Sequence, residues 1–488
     1  MTRLLPGAAA FTAAILVALL GIYAVADTPE PSKAGASRTV VKLRLLGVND
    51  LHGHLEAPRP GFGGAAWLKA HLDRATVPGR TIRVHAGDMV GATPLISGWF
   101  HDEPSMEAAN ALAFDVGTLG NHEFDEGGDE LIRMLRGGRR TGPEARRRDA
   151  GGALVNTSSP DYAGAGYPYI AANTVDREGD LDLPPYAIVE RAGVKVGFIG
   201  VTTPSTPRFL LDRHAARFRF TDISDAVNRW VPALQSRGVE TIVVLAHAGG
   251  PSQGESSAPD FVGEIVGEAR EMNSAVDAII AGHSHSRLDI RVPNADGSGD
   301  KLIVEALSYG IAYDVVDLTI DTRTGDVVAK TGQVPATPHD VAGDAGVAAL
   351  VDGYRTRIAP LATKLVGYTD TALRRADGSL GRVAVQAERA YAGTDAAVVS
   401  RGAVRADIQP GPITYAEVAE ALAYDHPVVR ARLTGRELRA LATDARFYSG
   451  PDELDPDATY SVSASEMLLP GGRPVGTEVE ALTSYLQR

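Results

Sequence analysis

The chain has 488 residues, of which 44% are hydrophobic and 22% charged, and it carries a formal net charge of −13 with no cysteine. This composition is typical of a soluble globular protein, and the length suffices for roughly two to four domains. The lack of cysteine excludes thiolate metal sites, cysteine nucleophiles and a lipidated cysteine anchor. The acidic balance disfavours nucleic-acid polymers as partners, because they bind to basic surfaces. Small anionic substrates remain compatible with it where metal ions supply local positive charge.

The N-terminus has the pattern of an export signal. Arg3 precedes an apolar stretch that ends in Ala24-Val25-Ala26, a small-x-small cleavage pattern. An uncleaved membrane anchor is the alternative, because the stretch is about long enough to span roughly 30 Å of bilayer. Both interpretations of residues 1–26 place the rest of the chain outside the cytoplasm, as an extracellular, periplasmic or envelope-associated protein. The polar residues 27–39 that follow are interpreted as a linker.

Apolar segments rich in β-branched residues predict buried strands, and most of them stop at a polar loop. Helical patterns separate several of these segments, for example over residues 65–75 and 224–236. Strands that alternate with helices predict an α/β layered fold, whose ligands bind at the carboxyl ends of the strands. The predicted strands are Val40–Val48, Thr81–Ala86, Phe114–Leu119, Val194–Val201, Thr241–Ala246 and Val276–Ala281.

Three further segments organise the rest of the chain outside this alternation of strands and helices. Residues 136–169 are rich in Gly, Arg, Ser and Tyr and are predicted to form a long surface excursion, with Arg146-Arg147-Arg148 as a solvated face. A first domain is expected over residues 40–340 and a connecting helix over 341–362. A second α/β domain is expected over residues 363–488.

Five strand ends carry residues that bind metal ions in proteins. Each motif alone has a structural interpretation, such as a helix cap, a turn or a buried histidine with a satisfied hydrogen bond. Asp50 and His52 lie two residues apart, which on an extended segment places both side chains on the same side. His85, within a strand, is predicted to be a core or flanking residue. The motifs are Asp50-Leu51-His52, Gly87-Asp88, Gly120-Asn121-His122-Glu123-Phe124-Asp125, Ala246-His247 and Gly282-His283-Ser284-His285.

All five motifs, in this order, resemble the signature of the calcineurin-like metallophosphoesterases. The residues of these motifs are similar to those of the bacterial 5′-nucleotidase, 2′,3′-cyclic phosphodiesterase and UDP-sugar hydrolase family. The resemblance implies an α/β fold: a four-layer β-sandwich flanked by helices, followed by a smaller α/β substrate-binding domain. It also implies an exported two-metal phosphohydrolase of the 5′-nucleotidase type, in which a metal-activated water attacks the phosphorus of a nucleotide phosphoester. The implied partner is a small nucleotide or another phosphoester, with membrane contact only through an uncleaved N-terminus.

The resemblance also assigns the ligands of two divalent metal ions, Zn, Mn or similar, which nitrogen and oxygen donors without sulfur cannot distinguish. A bridging carboxylate, Asp88, would serve both ions. His122, oriented by Asp125, would be the catalytic residue that stabilises charge on the phosphoryl group or protonates the leaving oxygen. His54 is left outside the site. One ion would bind Asp50, His52, Asp88 and His285, and the other would bind Asp88, Asn121, His247 and His283.

The second domain resembles the substrate-recognition domain of the same family through weaker motifs. Arg401 and Arg405 are expected to contact the substrate, and Tyr424 is expected to stack on a nucleobase. A second stacking ring is expected after Gly471-Gly472, but Val475 stands there, and Phe447 or Tyr448 are the alternatives. The nucleotide preference is therefore open. A cyclic phosphodiesterase, a nucleotide-sugar hydrolase and a non-catalytic surface binding protein remain alternatives.

Overall fold

The structure is a computed structural model, and it describes residues 39–250, 255–256, 263–443 and 446–488. The predicted signal or anchor and almost all of the predicted linker lie outside the described residues. Within the described residues, no helix combines the length and apolarity needed to cross a membrane. The helices are α1 (Ala65–Ala75), α2 (Leu95–Gly98), α3 (Glu103–Leu112), α4 (Gly128–Arg136), α5 (Asp212–Ala215), α6 (Ile223–Gln235), α7 (Glu264–Glu271), α8 (Ala345–Ala362), α9 (Ser379–Ala392), α10 (Tyr415–Ala421), α11 (Gly435–Leu441) and α12 (Glu478–Leu486).

The strands are short, and many of them are buried and rich in β-branched residues. They are β1 (Val40–Val48), β2 (Thr81–His85), β3 (Val116–Thr118), β4 (Arg146–Arg148), β5 (Leu154–Asn156), β6 (Tyr169–Ile170), β7 (Thr174–Asp176), β8 (Tyr186–Arg191), β9 (Val194–Thr202), β10 (Phe218–Phe220), β11 (Thr241–His247), β12 (Glu255–Ser256), β13 (Val276–Ala281), β14 (Arg287–Pro293), β15 (Asp300–Ala306), β16 (Asp314–Asp321), β17 (Val327–Gln333), β18 (Leu365–Thr369), β19 (Ala396–Ser400), β20 (Gly411–Thr414), β21 (Pro427–Thr434), β22 (Arg446–Ser449), β23 (Thr459–Ser465) and β24 (Arg473–Thr477).

Two sheets form the centre of the first domain. One has the strand order β17-β16-β1-β2-β3-β6, and the other has the order β12-β14-β15-β13-β11-β9-β8. β1, β2 and β3 run parallel in the first sheet, as do β9, β11 and β13 in the second. Buried side chains from both sheets, including Leu45, Val84, Phe198, Val243 and Ile280, share one hydrophobic cluster. The sheets therefore pack face to face as a sandwich, because each can bury one apolar face against the other.

Helices cover the two outer faces of this sandwich. On one side α1 and α3 contribute Leu68, Leu72 and Met106 to a cluster that includes Leu46 and Val48 of β1. On the other side α6 and α7 share a cluster with β9, β11 and β13. The helix–sheet–sheet–helix order confirms the predicted four-layer fold, and it follows from strands that are apolar on both faces.

The predicted elements agree with the structure most closely where the apolar pattern is longest. β13 and α1 have the predicted ends, whereas β3 is shorter than predicted and spans three residues. The surface prediction for residues 136–169 is wrong for Tyr162, Tyr167 and Tyr169, which are buried. These rings bury apolar area, while the Tyr162 hydroxyl donates to the Met134 carbonyl and those of Tyr167 and Tyr169 pair with each other.

A second, smaller α/β unit follows helix α8. Its sheet has the order β22-β19-β23-β21-β24, with α9 and α12 sharing one buried cluster and α11 lying beside another. Asp344 caps the N-terminus of α8, since its side chain accepts a hydrogen bond from the Val347 N–H. The helix packs Val351 and Tyr354 against the first domain. This smaller sheet with its helices confirms that a smaller α/β part follows the sandwich. The domain boundaries at residues 340 and 363 stay predictions.

His85 provides a test of how tightly the core below the site is packed. Its ring is fully buried, as predicted, and a β-carbon added at Gly117 would lie 1.8 Å from His85 Nε2. Gly117→Ala should therefore destabilise the protein by about 1–3 kcal/mol through overpacking and lower its melting temperature. Gly353→Ala in α8 is the control, because its added methyl meets nothing within 4 Å and should be neutral or stabilising. Equal melting temperatures for both variants in circular dichroism would contradict this account of the core.

Candidate active site

The predicted metal ligands lie where the two sheets end at one edge of the sandwich. Asp50 and His52 follow β1, Asp88 follows β2, and Asn121 follows β3 in the first sheet. The last residue of β11, His247, and the loop after β13 bring further candidate ligands from the second sheet. Because parallel strands of both sheets present their carboxyl ends at this edge, residues far apart in the chain meet there.

The donor atoms form three overlapping groups, in each of which they lie within 4.8 Å of one another. Asp88 and His52 belong to two groups each, and Asn121 Oδ1 lies 3.0 Å from His247 Nε2. The structure thus brings all seven predicted ligands together. The groups are Asp50, His52 and His285; His52, Asp88 and His122; and Asp88, His247 and His283.

Hydrogen bonds orient two of the histidines among the candidate ligands. His52 Nδ1 lies 2.8 Å from the Gly91 carbonyl, and His247 Nδ1 lies 2.8 Å from the Ala86 carbonyl. A carbonyl can only accept, so each Nδ1 carries a proton and each Nε2 faces the site. His247 Nε2 lies 3.0 Å from a carboxylate oxygen of Asp88. Two donor atoms that face one another in this way can share a cation, either a proton or a metal ion.

Burial and charge set the protonation of these groups. Burial lowers the pKa of His52 to about 4 and that of His283 to about 4, so both are neutral at neutral pH, as metal ligands must be. Burial opposes charge on His247 too, but the adjacent Asp88 outweighs it and raises its pKa to about 10. The site therefore attracts positive charge between His247 and Asp88. In the absence of a metal ion a proton on His247 supplies that charge, and a metal ion can supply it instead.

The backbone around the ligands is strained. Five of the candidate ligands have positive φ angles, between 46° and 77°, a backbone region that residues other than glycine rarely adopt. They are Asp50, His52, Asp88, His283 and His285. Such strain costs of order 1–3 kcal/mol per residue and persists where the surroundings enforce it. A β-carbon at Gly120 would lie 2.1 Å from Asp88 Oδ1, so only glycine lets the β2 and β3 loops approach this closely.

Glu123 holds these two loops together, and the sequence analysis assigned it no role. Its buried carboxylate accepts hydrogen bonds from the backbone N–H groups of Asp88 at 3.0 Å, Met89 at 2.9 Å and Gly120 at 2.6 Å. Burial raises the pKa of Glu123 to about 7, against the effect of the N–H donors. Its place inside the motif, one residue after His122, was the only signal in the sequence.

His122 and Asp125 form the predicted pair. His122 Nδ1 lies 2.7 Å from Asp125 Oδ2, across a 3₁₀ turn that spans His122–Phe124. Burial opposes the charged imidazolium, but Asp125 and Asp88 outweigh it and raise the pKa of His122 to about 9. Its backbone N–H donates to Asp88 Oδ1 at 2.9 Å, which places the imidazole beside the metal ligands.

Residues from the second domain reach the same centre. Tyr424 contributes a ring that lies parallel to His122, with centroids 5.6 Å apart, and parallel to His426, at 5.2 Å. Arg405 lies over the Tyr424 ring and interacts with Tyr309. The Arg401 guanidinium instead lies 4.6 Å from the ring centroid of Phe447, which is buried.

Tyr309 and His54 also lie beside the candidate ligands, although the sequence left His54 outside the predicted site and offered no signal for Tyr309. The Tyr309 ring lies 4.0 Å from His54, 5.4 Å from His285 and 5.8 Å from His52. Its backbone N–H donates to the Asp50 carbonyl at 2.7 Å. Tyr309 lies in a loop after β15 without a ligand-like motif, so only the fold brings it to the centre.

Comparison with known proteins agrees with this geometry. Residues 43–287 match the calcineurin-like phosphoesterase family, and residues 358–448 match the 5′-nucleotidase C-terminal domain. The chain is similar to a crystal structure of a 5′-nucleotidase precursor from Thermus thermophilus, with a TM-score of 0.73, 24% identity, and coverage of 92% of this chain and 96% of that one. That likeness shows a shared fold.

Two curated relatives are more similar in sequence. Endonuclease YhcR of Bacillus subtilis is 30% identical over 88% of this chain and 37% of its own length. The cell wall protein Lmo0130 of Listeria monocytogenes is 33% identical over 77% of this chain and 51% of its own length. The chain thus spans about half or less of these relatives. With the match over residues 43–287 and the phosphoesterase fold, the chain belongs to the calcineurin-like phosphoesterase family and carries a 5′-nucleotidase C-terminal domain.

Proposed function

We propose that the chain is a metal-dependent phosphoester hydrolase of the 5′-nucleotidase type, which uses two divalent ions and acts on a nucleotide. The observation that carries this proposal is the convergence of seven nitrogen and oxygen donors beside the His122–Asp125 pair. A binding protein needs no such pair. The C-terminal domain match and the likeness to 5′-nucleotidases support a nucleotide substrate.

The residues present fit two divalent ions that share Asp88. In this proposal Asp50, His52, Asp88 and His285 would hold the first ion, and Asp88, Asn121, His247 and His283 would hold the second. Divalent ions in such a site supply Lewis acidity, which activates a water for attack on phosphorus and neutralises the charge that develops there. Since Asp50 and Asp88 are the only carboxylates in this set, the loaded site keeps a positive surplus for a phosphate group.

The chain's own cations add to that surplus. Arg405 is half-buried near Asp88 and makes its contacts with Tyr309 and Tyr424. A guanidinium that is partly removed from water gains from an anionic partner, and its fork matches phosphate oxygens. We assign Arg405 to the substrate phosphate. Arg401, which lies against Phe447, has a weaker case for the same role.

His122 is the proposed proton donor to the leaving oxygen. Asp125 keeps the proton on Nδ1, orients the ring and favours the imidazolium, so Nε2–H is available at neutral pH. Transfer of that proton converts the leaving alkoxide into an alcohol. Asp125 is a positioning residue in this scheme, since its contact is with His122.

The proposal has alternative substrates and one alternative class of protein. The same type of centre can cleave a 2′,3′-cyclic nucleotide or a nucleotide sugar, so these are the alternative substrates. A non-catalytic surface binding protein is the less favoured alternative.

We also propose that the protein is exported, on the evidence of the apolar N-terminus and of a relative named as a cell wall protein.

Phosphate release from AMP tests the proposed function. The purified protein with Mn²⁺ or Zn²⁺ should release phosphate, and a chelator should abolish the release. His122→Ala should reduce kcat by about 10²–10⁴-fold, the usual contribution of a positioned acid, with metal content unchanged. A cyclic nucleotide and a nucleotide sugar, offered in parallel, identify the preferred substrate.

His339→Ala is the matched control for that substitution. It removes an imidazole that stacks on Trp67, away from the donor groups, and should keep full activity. Unchanged turnover in His122→Ala would refute its catalytic role. No release from any substrate with any metal would favour the binding-protein alternative.

The pH dependence of turnover tests the pairing of His122 with Asp125. An imidazolium donor works below its pKa, and its contribution is lost as the pH rises through that pKa. Asp125→Asn removes the main attraction that raises the pKa of His122, so the alkaline fall in kcat should move to lower pH. Asp129→Asn, at an exposed carboxylate that pairs with Arg217, is the control and should leave the profile in place. An unmoved alkaline limb in Asp125→Asn would contradict the assignment.

Metal affinity tests the role of Glu123. A glutamine has one acceptor oxygen and an NH₂ group that cannot accept from an N–H, so Glu123→Gln should loosen the Asp88 and Gly120 loops. We expect metal affinity to fall about 10–100-fold, as for other partners that support ligands. Titration with Mn²⁺ measures it, with the exposed Glu178→Gln as control. Equal affinities in both variants would show that the three hydrogen bonds do not position the ligands.

A further inference from the structure

We propose that Phe209, on the metal-binding domain, is a specificity-determining residue that stacks on the nucleobase of the substrate. This inference rests on the proposed function and names a contact for the part of the substrate that leaves with the alcohol. Phe209 ends a 3₁₀ turn that spans Thr206–Phe209, after strand β9. The sequence analysis assigned no role to this segment.

The position of the Phe209 ring is the first observation. Its centroid lies 5.4 Å from that of His283, with the rings at 74°. His283 belongs to the donor group with Asp88 and His247. A ring in contact with a candidate ligand lies within reach of the organic part of an ester whose phosphate is bound at that ligand.

The exposure of the ring is the second observation. Phe209 is 40% exposed, which leaves apolar aromatic surface in water beside a polar centre. Tyr309, which also contacts the candidate ligands, is more buried, and the ring of Tyr424 is in contact with His122, His426 and Arg405. Among these three rings, Phe209 offers the most open face for a flat ligand.

The segment that carries Phe209 is tied to the centre on both sides, which holds the ring in place. The Thr203 N–H donates to the His247 carbonyl at 2.9 Å, and the Thr203 hydroxyl donates to Glu264 at 2.8 Å. Leu210 and Leu211 after the ring are buried. A rigid platform binds a base with little loss of conformational entropy, because the ring is already ordered.

Two further contacts connect this segment with the catalytic pair and the second domain. His214 Nδ1 lies 2.7 Å from the Asp125 carbonyl, and Arg213 forms an ion pair with Glu466. Phe209 therefore lies on a segment shared by the candidate metal ligands, the His122–Asp125 pair and the substrate-binding domain. A base held there would be positioned together with the phosphate that it accompanies.

The chemistry of the recognised group follows from the ring. A phenylalanine without a polar atom discriminates no hydrogen-bonding edge, but every nucleobase has a π-face. We therefore expect a preference for nucleotides over phosphoesters without a base, with limited choice among bases. A competing role is that Phe209 only shields His283 from water, and the bulk of a leucine would preserve that role.

Kinetics with AMP and ribose 5-phosphate separate these roles, because ribose 5-phosphate keeps the sugar and phosphate of AMP but has a hydroxyl in place of the base. Phe209→Leu should raise the KM for AMP about 5- to 150-fold, from the usual worth of one base stack, and leave the KM for ribose 5-phosphate unchanged. Phe209→Tyr should retain the wild-type preference. Tyr368→Ala, at an exposed ring on β18, is the matched control and should change neither KM.

The outcomes are distinguishable from failure of the proposed function. Wild-type cleavage of ribose 5-phosphate with no preference for AMP, or an equal change of both KM values in Phe209→Leu, overturns the stacking role and leaves the hydrolase intact. If the wild type cleaves neither substrate, the proposed function fails. Calorimetric titration with adenosine then tests the inference separately, and equal affinities of wild type and Phe209→Leu would overturn it.

Discussion

The buried carboxylate of Asp88 is the constraint on which the rest of the centre depends. A charge without water must be compensated by hydrogen bonds and opposite charge, or the group would be neutralised. Here the compensation comes from His247 at 3.0 Å and the His122 N–H at 2.9 Å. His247 ends β11, and His122 follows β3. The need to compensate one carboxylate therefore ties the ends of β3 and β11 to the end of β2.

The fold supplies the rigidity that this arrangement requires. Positive φ angles at five donor residues cost free energy, and Glu123 and Asn49 hold the strained loops in position. Asn49 donates to Asp50 Oδ2 at 2.7 Å and accepts from the Ala306 N–H at 2.9 Å, which fastens the β1 loop to β15. The four layers below provide the packing that opposes relaxation of the loops. Strain at the site is thus supported by a large apolar core, in which Leu45, Phe198 and Val243 are fully buried.

The second domain completes the electrostatics of the centre. The candidate metal ligands present carboxylates and imidazoles, whereas Arg405 adds a cation over the Tyr424 ring. Tyr424 lies against His122, and this contact links the catalytic pair to the loop before β21. Under the proposed function, substrate recognition would be divided between the domains, with Arg405 of the second domain on the phosphate and Phe209 presenting an aromatic face from the first.

The sequence by itself predicted the layered α/β fold and the strands that end in donors, because apolar periodicity and the residues after each strand are local properties of the chain. The identity of the seven candidate ligands came from the resemblance of the five motifs to the metallophosphoesterase signature. The burial of Tyr162, Tyr167 and Tyr169, the clamp formed by Glu123 and the places of Tyr309 and Phe209 were decided only by the tertiary structure. Tyr309 and Phe209 follow strands without any metal-ligand motif, and Arg401 and Arg405 share one motif but face different surroundings. Contacts between residues far apart in the chain depend on how sheets and domains pack, and no local pattern encodes that packing.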